Sequence, residues 1–199
     1  MKFLEYIGSN PAISIFLRKI VELNFVAHKN IIEKYFHLEQ GEKILDIGCG
    51  TGEFSPFFLK EYYVGIDIDD KNITYAKAHY NQEFKVADAR DLPFGDNSFD
   101  KILIVGVLHH LSMEDVQKVL QEIQRILVPK GQALIIEDTL CDSPITKLMH
   151  SLDQGAHIRS KEAWQEILTG NFIAKTSFTF KSGICFYSAF ILENIYESF

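Results

Sequence analysis

Residues 44–54 (ILDIGCGTGEF) place an apolar run, an acid and three alternating glycines where a buried strand would turn into the next element. Glycine accepts positive φ and has no Cβ, so Gly48, Gly50 and Gly52 let the backbone turn sharply and press against a ligand. The dinucleotide-binding pattern G-x-G-x-x-G is spaced differently, since Glu53 occupies the place of its last glycine. The loop therefore predicts a ligand site, and its spacing argues against NAD.

Acidic residues recur at the ends of the strand-like segments that follow. Residues 62–69 (YYVGIDID) end a second apolar strand at Asp67, where a carboxylate can accept both hydroxyls of a ribose. Residues 84–94 (FKVADARDLPF) supply a third strand with Asp88 near its tip, and residues 99–111 (FDKILIVGVLHHL) supply a fourth. The alternation of strand-like and helix-like segments predicts a parallel sheet covered on both faces.

With these four ordered motifs and a fifth at residues 127–134 (LVPKGQAL), the chain resembles the class I S-adenosylmethionine-dependent methyltransferases. The likeness is specifically to the small-molecule branch related to the ubiquinone and menaquinone methyltransferases, and it covers about residues 40–140. It implies an α/β fold with a Rossmann-like, doubly wound, seven-stranded sheet that is mostly parallel and ends in an antiparallel hairpin. It also implies S-adenosylmethionine as cofactor, S-adenosylhomocysteine as product, and no metal.

The resemblance assigns the donor site residue by residue. Asp67 is expected to accept the ribose hydroxyls, Asp88 to accept from the adenine amino group, and Asp46 to support the loop near the donor's amino group. A helix beginning near Thr51 would aim free backbone amides at the ligand. The other expected contacts are Gly48, Cys49, Gly50, Thr51, Gly52, Phe54, Ile68, Ala89 and Val105, with Cys49 as a small buried filler and Val105 acting through its backbone. A plainer interpretation of the acids stays open, in which each carboxylate accepts from amides of its own loop.

His109 and His110 end the fourth strand, facing the place where a methyl acceptor would lie. An imidazole can take the proton that a phenol, hydroxyl or amine loses on methylation, so both are candidate catalytic residues. The alternative is that they only cap the next helix or line the pocket. Glu137, with Asp138 beside it at the end of the fifth strand, is a candidate substrate contact, or simply satisfies local backbone.

Residues 152–160 (LDQGAHIRS) lie where the family usually inserts acceptor-binding elements. His157 and Arg159 are expected to hold an anionic or phenolic acceptor. The competing interpretation is an ordinary surface loop, with Ser160 capping the helix that contains Trp164.

The composition indicates which kinds of partner and which cellular location are expected. The chain has 199 residues, 47% of them hydrophobic, and a formal net charge of −7. An acidic balance opposes binding to a phosphate backbone, so nucleic acid is not expected as a partner. Three widely spaced cysteines without a C-x-x-C pair predict neither a disulfide framework nor a zinc site, which favours a cytoplasmic location. No apolar run is long enough to span a membrane, and residues 8–11 (GSNP) interrupt the amino terminus before a signal-peptide core could form.

The organisation predicts a single methyltransferase domain over residues 1–199. Residues 1–37 would form a helical lid, 40–140 the donor-binding core, 141–170 an acceptor-side insertion and 171–199 the terminal hairpin. Asn10 and Pro11 begin the first helix, which is expected to continue to residue 36 with one apolar face that includes Phe16, Ile20 and Leu23. Ser112 with Asp115 predicts a capped helix over residues 113–127.

The sequence therefore predicts an enzyme that transfers methyl from S-adenosylmethionine to the oxygen, nitrogen or carbon of a small organic acceptor, by direct in-line displacement. Two alternatives stay open: an NAD-dependent oxidoreductase, and a regulatory protein that binds the donor without catalysis. The sequence leaves the acceptor and the oligomeric state undetermined.

Overall fold

The computed structural model describes residues 10–36, 39, 41–140 and 157–195 of the chain. One sheet of seven strands runs through it, in the order β3-β2-β1-β4-β5-β7-β6. The strands are β1 Ile44–Ile47, β2 Tyr63–Asp67, β3 Glu83–Val86, β4 Phe99–Val105, β5 Leu127–Asp138, β6 Phe172–Ser182 and β7 Cys185–Asn194. The first five are parallel, and β7 is antiparallel to both β5 and β6. The predicted mixed sheet with its terminal hairpin is confirmed.

Five α-helices cover the sheet in the described part of the chain: α1 Pro11–Val21, α2 Val26–Tyr35, α3 Asp70–His79, α4 Met113–Ile126 and α5 Lys161–Thr169. One core lies under α4 and α5 and includes Val116, Ile123 and Trp164. The other lies on the opposite face, under α2 and α3, and includes Phe25, Ile32 and Ile73. The sheet is thus covered on both faces, as a doubly wound fold requires.

Side-chain caps fix where several helices begin, and the predicted caps are confirmed. Asn10 accepts hydrogen bonds from the amides of Ala12 and Ile13 at the start of α1. Ser112 accepts from the Asp115 amide at 3.2 Å, and Ser160 accepts from the Ala163 amide at the same distance. Each cap pairs an amide that lacks a partner within the helix.

The expected single helix over residues 11–36 is wrong. A 3₁₀ turn over Leu23–Phe25 separates α1 from α2, with left-handed φ values of 50°, 58° and 57° at its three residues. The turn changes which residues are buried: Phe16 is 62% exposed, whereas Phe25 is 2% exposed. The apolar periodicity that was extended across residues 23–25 therefore predicts the wrong buried face for α1. The helix α2 contributes Ile31 and Ile32 to the core, and the expectation that residues 1–37 form a lid stays a prediction.

Candidate donor-binding site

A cleft of about 420 Å³ lies at the carboxyl ends of β1, β2 and β4. Parallel sheets bind ligands at this edge, where the loops after neighbouring strands diverge. The lining residues come from the ends of β2 and β4, from the loops after β1, β2, β3 and β4, and from α1 and α3: Arg18, Gly48, Gly50, Ile66, Asp67, Ile68, Asn72, Ala87, Asp88, Ala89, Arg90, Val105, Gly106, Val107, His110 and Leu111. The structure thus brings together seven of the expected donor contacts: Gly48, Gly50, Asp67, Ile68, Asp88, Ala89 and Val105.

The glycine loop adopts the backbone that its sequence predicts. Gly48, Gly50 and Gly52 have φ of +69°, +52° and +81°. A Cβ at Gly48 would overlap the Val107 side chain, whereas a Cβ at Gly50 would meet no atom within 4 Å. Gly48 therefore lets the loop approach the segment after β4, and Gly50 leaves open space in the cleft. Gly52 instead faces Tyr80 and Phe84 in the core and does not line the cleft.

The helix expected to begin near Thr51 is absent from this loop, which continues as turns and a 3₁₀ helix over Ser55–Phe57. Pro56 is the reason: in a helix starting at Thr51 it would occupy the interior, where it has no N–H to donate and its ring meets a preceding carbonyl. The loop therefore cannot direct the amides of a following helix at a ligand.

Asp67, at the end of β2, both accepts from backbone amides and faces the cleft, so it fits the two interpretations of the strand-end acids, as a partner of loop amides and as a ligand contact. Its Oδ2 accepts from the Gly50 amide at 2.9 Å, and its Oδ1 accepts from the Asp69 amide at 2.9 Å and from Asn72 Nδ2 at 3.4 Å. The carboxylate also lines the cleft. Because each carboxylate oxygen has two lone pairs, these bonds fix the orientation of Asp67 and leave it able to accept from a ligand.

Asp88 lies in the cleft near the end of β3, in a clamp with Arg90. The Arg90 guanidinium donates from Nε at 2.9 Å and from Nη2 at 2.7 Å to the two oxygens of Asp88, and from Nη1 at 3.3 Å to Asp115. The hydrogen bonds from Arg90 lower the pKa of Asp88. A ligand donor that reaches Asp88 thus meets an ionised carboxylate already held in place.

Asp46 lies beneath the glycine loop and not in the cleft. It is 2% exposed, and its Oδ2 accepts from the Tyr63 hydroxyl at 2.7 Å. Burial raises the pKa of Asp46 to about 7, with the charge of Asp67 adding to the rise and the Tyr63 hydrogen bond opposing it. Asp46 does not line the cleft, and its expected role as a loop-supporting acid near the donor's amino group stays a prediction.

Three further expected contacts lie in the interior. Cys49, Thr51 and Phe54 are buried, and none lines the cleft. The Phe54 ring packs edge-on against Phe25, with ring centroids 5.7 Å apart. Burial, followed by the charges of Asp46 and Asp67, raises the pKa of the Cys49 thiol well above its usual value. Cys49 is buried as expected of a small filler, and the expected donor contacts of Thr51 and Phe54 stay predictions.

Glu137 organises the turn that carries the two histidines. Its carboxylate is fully buried and accepts from the amides of Val107, Leu108 and His109 and from His109 Nδ1, the last at 2.8 Å. These donors belong to the start of a 3₁₀ helix over Leu108–His110, so Glu137 caps that helix from the neighbouring strand. The burial of Glu137 and its bonds to three backbone amides support the alternative in which it satisfies backbone, and its expected substrate contact stays a prediction.

The two histidines differ in position. His109 is 2% exposed, with Nδ1 on Glu137 and Nε2 at 3.8 Å from Asp138 Oδ2, and it does not line the cleft. His110 is exposed and lines the cleft, and its ring is tilted by 39° against the His109 ring, with the centroids 4.1 Å apart. Of the two candidate bases, His110 is therefore the one that a ligand can reach directly.

His157 and Arg159 lie beside this turn without lining the cleft. The His157 amide donates to the His109 carbonyl at 3.0 Å, and the Arg159 guanidinium stands 4.6 Å from the centre of the Trp164 ring. Arg159 also donates from Nη1 to the His157 carbonyl at 2.9 Å. Their expected substrate contacts find no support in this geometry, and residues 152–156 of the same predicted segment lie outside the described residues.

Arg18 is a charged lining residue that the sequence did not single out. It reaches the cleft from α1, which was expected to cover an acceptor pocket, and its Nε donates to Glu22 Oε1 at 3.0 Å. The i,i+4 spacing of Arg18 and Glu22 signals an ion pair on a helix. The spacing alone does not place Arg18 in the cleft with the glycine loop. The direction of α1 is set by the left-handed turn after Glu22, which the spacing does not predict.

Membrane-spanning helices and metal sites are both absent from the described ranges. No helix there is both long and apolar enough to cross a membrane. No group of three or more His, Cys, Asp or Glu side chains there has the arrangement of a metal site.

Comparison with known proteins agrees with this geometry. Residues 45–135 match the family model described as a methyltransferase domain. O-methyltransferase cnsE of Penicillium expansum is 38% identical over 115 residues, which are 53% of this chain and 41% of that protein. Probable tRNA methyltransferase 9B of Homo sapiens is 38% identical over 96 residues, which are 48% of this chain and 21% of that protein. The chain thus spans less than half the length of these two relatives.

Solved structures share the fold. A SAM-dependent methyltransferase from Methanosarcina mazei superposes with a TM-score of 0.69 at 23% identity, covering 84% of this chain and 98% of that one. The relatives include O-methyltransferases and tRNA methyltransferases and do not single out the ubiquinone and menaquinone branch. The glycine loop, the strand-end acids and the sheet order together with these matches show a methyltransferase domain over residues 45–135 and support the class I S-adenosylmethionine-dependent methyltransferases as its family.

Proposed function

We propose that the chain transfers the methyl group of S-adenosylmethionine to a small organic acceptor. One observation carries the proposal: the Asp67 carboxylate, bonded to the Gly50 amide, faces the same cleft as Asp88. A pair of carboxylates at the ends of adjacent strands suits the ribose hydroxyls and the adenine amino group of one nucleoside. The cleft volume of about 420 Å³ lies within the range of small-molecule sites.

The remaining lining residues fit the other parts of that donor. Ile68 and Ala89 are apolar neighbours of the two acids and suit the faces of an adenine ring. Gly48 and Gly50 allow the chain of the ligand to pass close to the backbone. When bound, S-adenosylmethionine supplies a methyl group made electrophilic by its sulfonium. The protein's part is to orient the donor against the acceptor and to exclude water, and orientation alone contributes about 7–11 kcal/mol in favourable cases.

His110 is the group that we propose to lie nearest the acceptor. Its exposed ring lines the cleft beside Gly106, at the end of β4 where the transferred methyl would lie. An imidazole there can accept the proton of a hydroxyl or amine acceptor. Glu137 holds the turn on which His110 is placed, through the bonds to the amides of Val107, Leu108 and His109.

Transfer RNA is the one alternative to a small organic acceptor that has support of its own. The relatives include proteins named as tRNA methyltransferases from Homo sapiens and Arabidopsis thaliana. The net charge of −7 disfavours that acceptor for this chain, because RNA binding gains much of its free energy from clustered Lys and Arg on phosphates. We therefore place the small organic acceptor first, in keeping with the relatives named as O-methyltransferases.

Turnover decides between these activities and a protein that binds the donor without catalysis. The assay incubates the purified chain with S-adenosylmethionine labelled in its methyl group, separately with phenols, fatty acids, amines and bulk tRNA, and follows S-adenosylhomocysteine. We expect formation above background with a member of the small-molecule set and none with tRNA. Release with tRNA alone would reverse the order of acceptors, and donor binding without release in any arm would favour the regulatory alternative.

A further inference from the structure

The cleft has one end for a nucleoside and another end at which no expected residue supplies a cation. Asp67 ends β2 and Asp88 follows β3, at one side of the sheet. Gly48 follows β1 and Val105 ends β4, further along the same edge, and Arg18 lines the cleft with them. A donor with its ribose on Asp67 and its adenine on Asp88 therefore extends its amino-acid tail toward Gly48 and Arg18.

We propose that Arg18 binds the α-carboxylate of the donor's tail, and that Glu22 and Tyr187 are positioning residues that aim its guanidinium. This inference rests on the proposed function, since it assigns a partner to one part of the same ligand. An arginine is suited to the task because its planar guanidinium pairs with a carboxylate through two parallel N–H donors.

The bonds around Arg18 leave the correct donors available. Among the described residues, its hydrogen bond is the one from Nε to Glu22 Oε1, at 3.0 Å. The guanidinium carbon stands 5.2 Å from the centre of the Phe25 ring. An arginine that is bonded through Nε keeps the N–H groups of its two Nη atoms available for a second carboxylate. Arg90, the other cation lining the cleft, differs because Asp88 and Asp115 already occupy Nε and both Nη groups.

Glu22 is held at a fixed point by the terminal strand. It is 3% exposed, and its Oε2 accepts from the Tyr187 hydroxyl at 2.9 Å while Oε1 faces Arg18. His28 Nδ1 lies 3.9 Å from the same Oε2. Burial and the nearby Arg18 charge lower the pKa of His28 to about 3, so its ring is neutral near pH 7. The charge that balances the buried Glu22 is therefore that of Arg18, which couples the two side chains.

The end of α1 that carries this pair is docked on the turn between β6 and β7. Ser182 Oγ donates to the Glu22 carbonyl at 3.0 Å, and the Ile184 amide lies 3.4 Å from the Val21 carbonyl. A Cβ at Gly183 would overlap that carbonyl oxygen, so a glycine is needed for the close approach. The terminal hairpin thus sets the position of α1, and through Glu22 it sets the direction of Arg18.

The test compares two ligands that differ in the tail alone. S-adenosylhomocysteine has the α-carboxylate, and 5′-methylthioadenosine keeps the adenine, ribose and sulfur but lacks the amino-acid part. We expect Arg18→Ala to weaken S-adenosylhomocysteine about 10- to 100-fold by calorimetry. We expect the same variant to change the affinity for 5′-methylthioadenosine by less than about twofold.

Three variants separate positioning from general damage. Arg18→Lys should recover part of the lost preference, since it restores the charge without the fork. Tyr187→Phe should reduce the preference for S-adenosylhomocysteine about 2- to 10-fold while leaving 5′-methylthioadenosine unaffected, because the hydroxyl acts only through Glu22. Arg90→Ala, the matched control at the nucleoside end, should change the two affinities by the same factor. Melting by circular dichroism checks that each variant is folded.

The outcomes distinguish the inference from the function on which it rests. If the wild-type chain binds neither ligand, the proposed function fails. If it binds both, and Arg18→Ala leaves the ratio of the two affinities unchanged, the function stands and the role of Arg18 is overturned. A changed ratio in Arg18→Ala with an unchanged ratio in Tyr187→Phe would keep the carboxylate contact and overturn the positioning role.

Discussion

The Asp67 carboxylate and the Gly50 amide are joined by a 2.9 Å hydrogen bond across the cleft edge of β1 and β2. The bond ties the acid that would hold a ribose to the loop that would hold the rest of the donor. Each therefore depends on the other for its position, and a change at Asp67 is expected to affect the loop as well as the direct ligand contact.

Replacing Asp67 with Asn should weaken S-adenosylhomocysteine by about 1.5–3 kcal/mol, since it removes a charged acceptor for the ribose hydroxyls. Calorimetry measures the change. Asp69→Asn is the matched control, because Asp69 caps α3 and does not line the cleft. It should alter the affinity less than twofold. Equal losses in the two variants would mean that the ribose site is misplaced.

Glu137→Gln should destabilise the fold by about 2–4 kcal/mol. An amide has one acceptor oxygen, whereas the buried carboxylate accepts from three backbone amides and the His109 ring. Urea unfolding measures this, with Glu114→Gln as control, since that side chain is 80% exposed and its pair with Lys118 contributes little. A Glu137 variant as stable as the Glu114 variant would contradict the capping role.

Asp46 predicts a pH dependence of stability with a definite sign. Its folded pKa is raised to about 7 from a usual value of 3.8, so the folded state binds more protons between these values. The free energy of unfolding of the wild type should therefore fall relative to that of Asp46→Asn as pH rises from 4 toward 8, by up to about 4 kcal/mol. Urea unfolding of both proteins at several pH values gives the difference. A difference that is constant with pH would contradict the raised pKa.

Gly48→Ala should cost more stability than Gly41→Ala. Both positions have positive φ, so both substitutions carry backbone strain of about 1 kcal/mol, but a Cβ at 48 also overlaps Val107 while a Cβ at 41 meets nothing within 4 Å. Adding Val107→Ala should recover part of the loss at 48. Thermal melts test the series, and equal losses at 41 and 48 would show that the contact with Val107 is not tight.

The sheet and much of the cleft could be predicted from the sequence because they depend on local signals. Apolar runs that end in Gly48 or Asp67 mark strands and the edge at which those strands terminate. Ser112 and Asp69 mark the helices that follow. These features need only neighbouring residues, and the structure has each of them.

Other positions depend on contacts that the local sequence does not show. Glu137, Asp46 and Phe54 are expected ligand contacts, and each of them is buried. Arg18 shows the reverse case, since its place in the cleft depends on three left-handed residues and on a hairpin more than 160 residues away. Neither the burial of the first three residues nor the position of Arg18 can be read from local spacing. At these positions tertiary contacts decide what the side chain does, whereas the strands themselves are marked by local patterns.

Titration calorimetry of the whole chain with S-adenosylhomocysteine and, separately, with NAD tests most directly whether the cleft is a methyl-donor site. We expect one molecule of S-adenosylhomocysteine to bind per chain with micromolar affinity, and no measurable heat with NAD, because Glu53 follows the loop where a dinucleotide fingerprint has glycine. NAD binding tighter than S-adenosylhomocysteine would contradict the account.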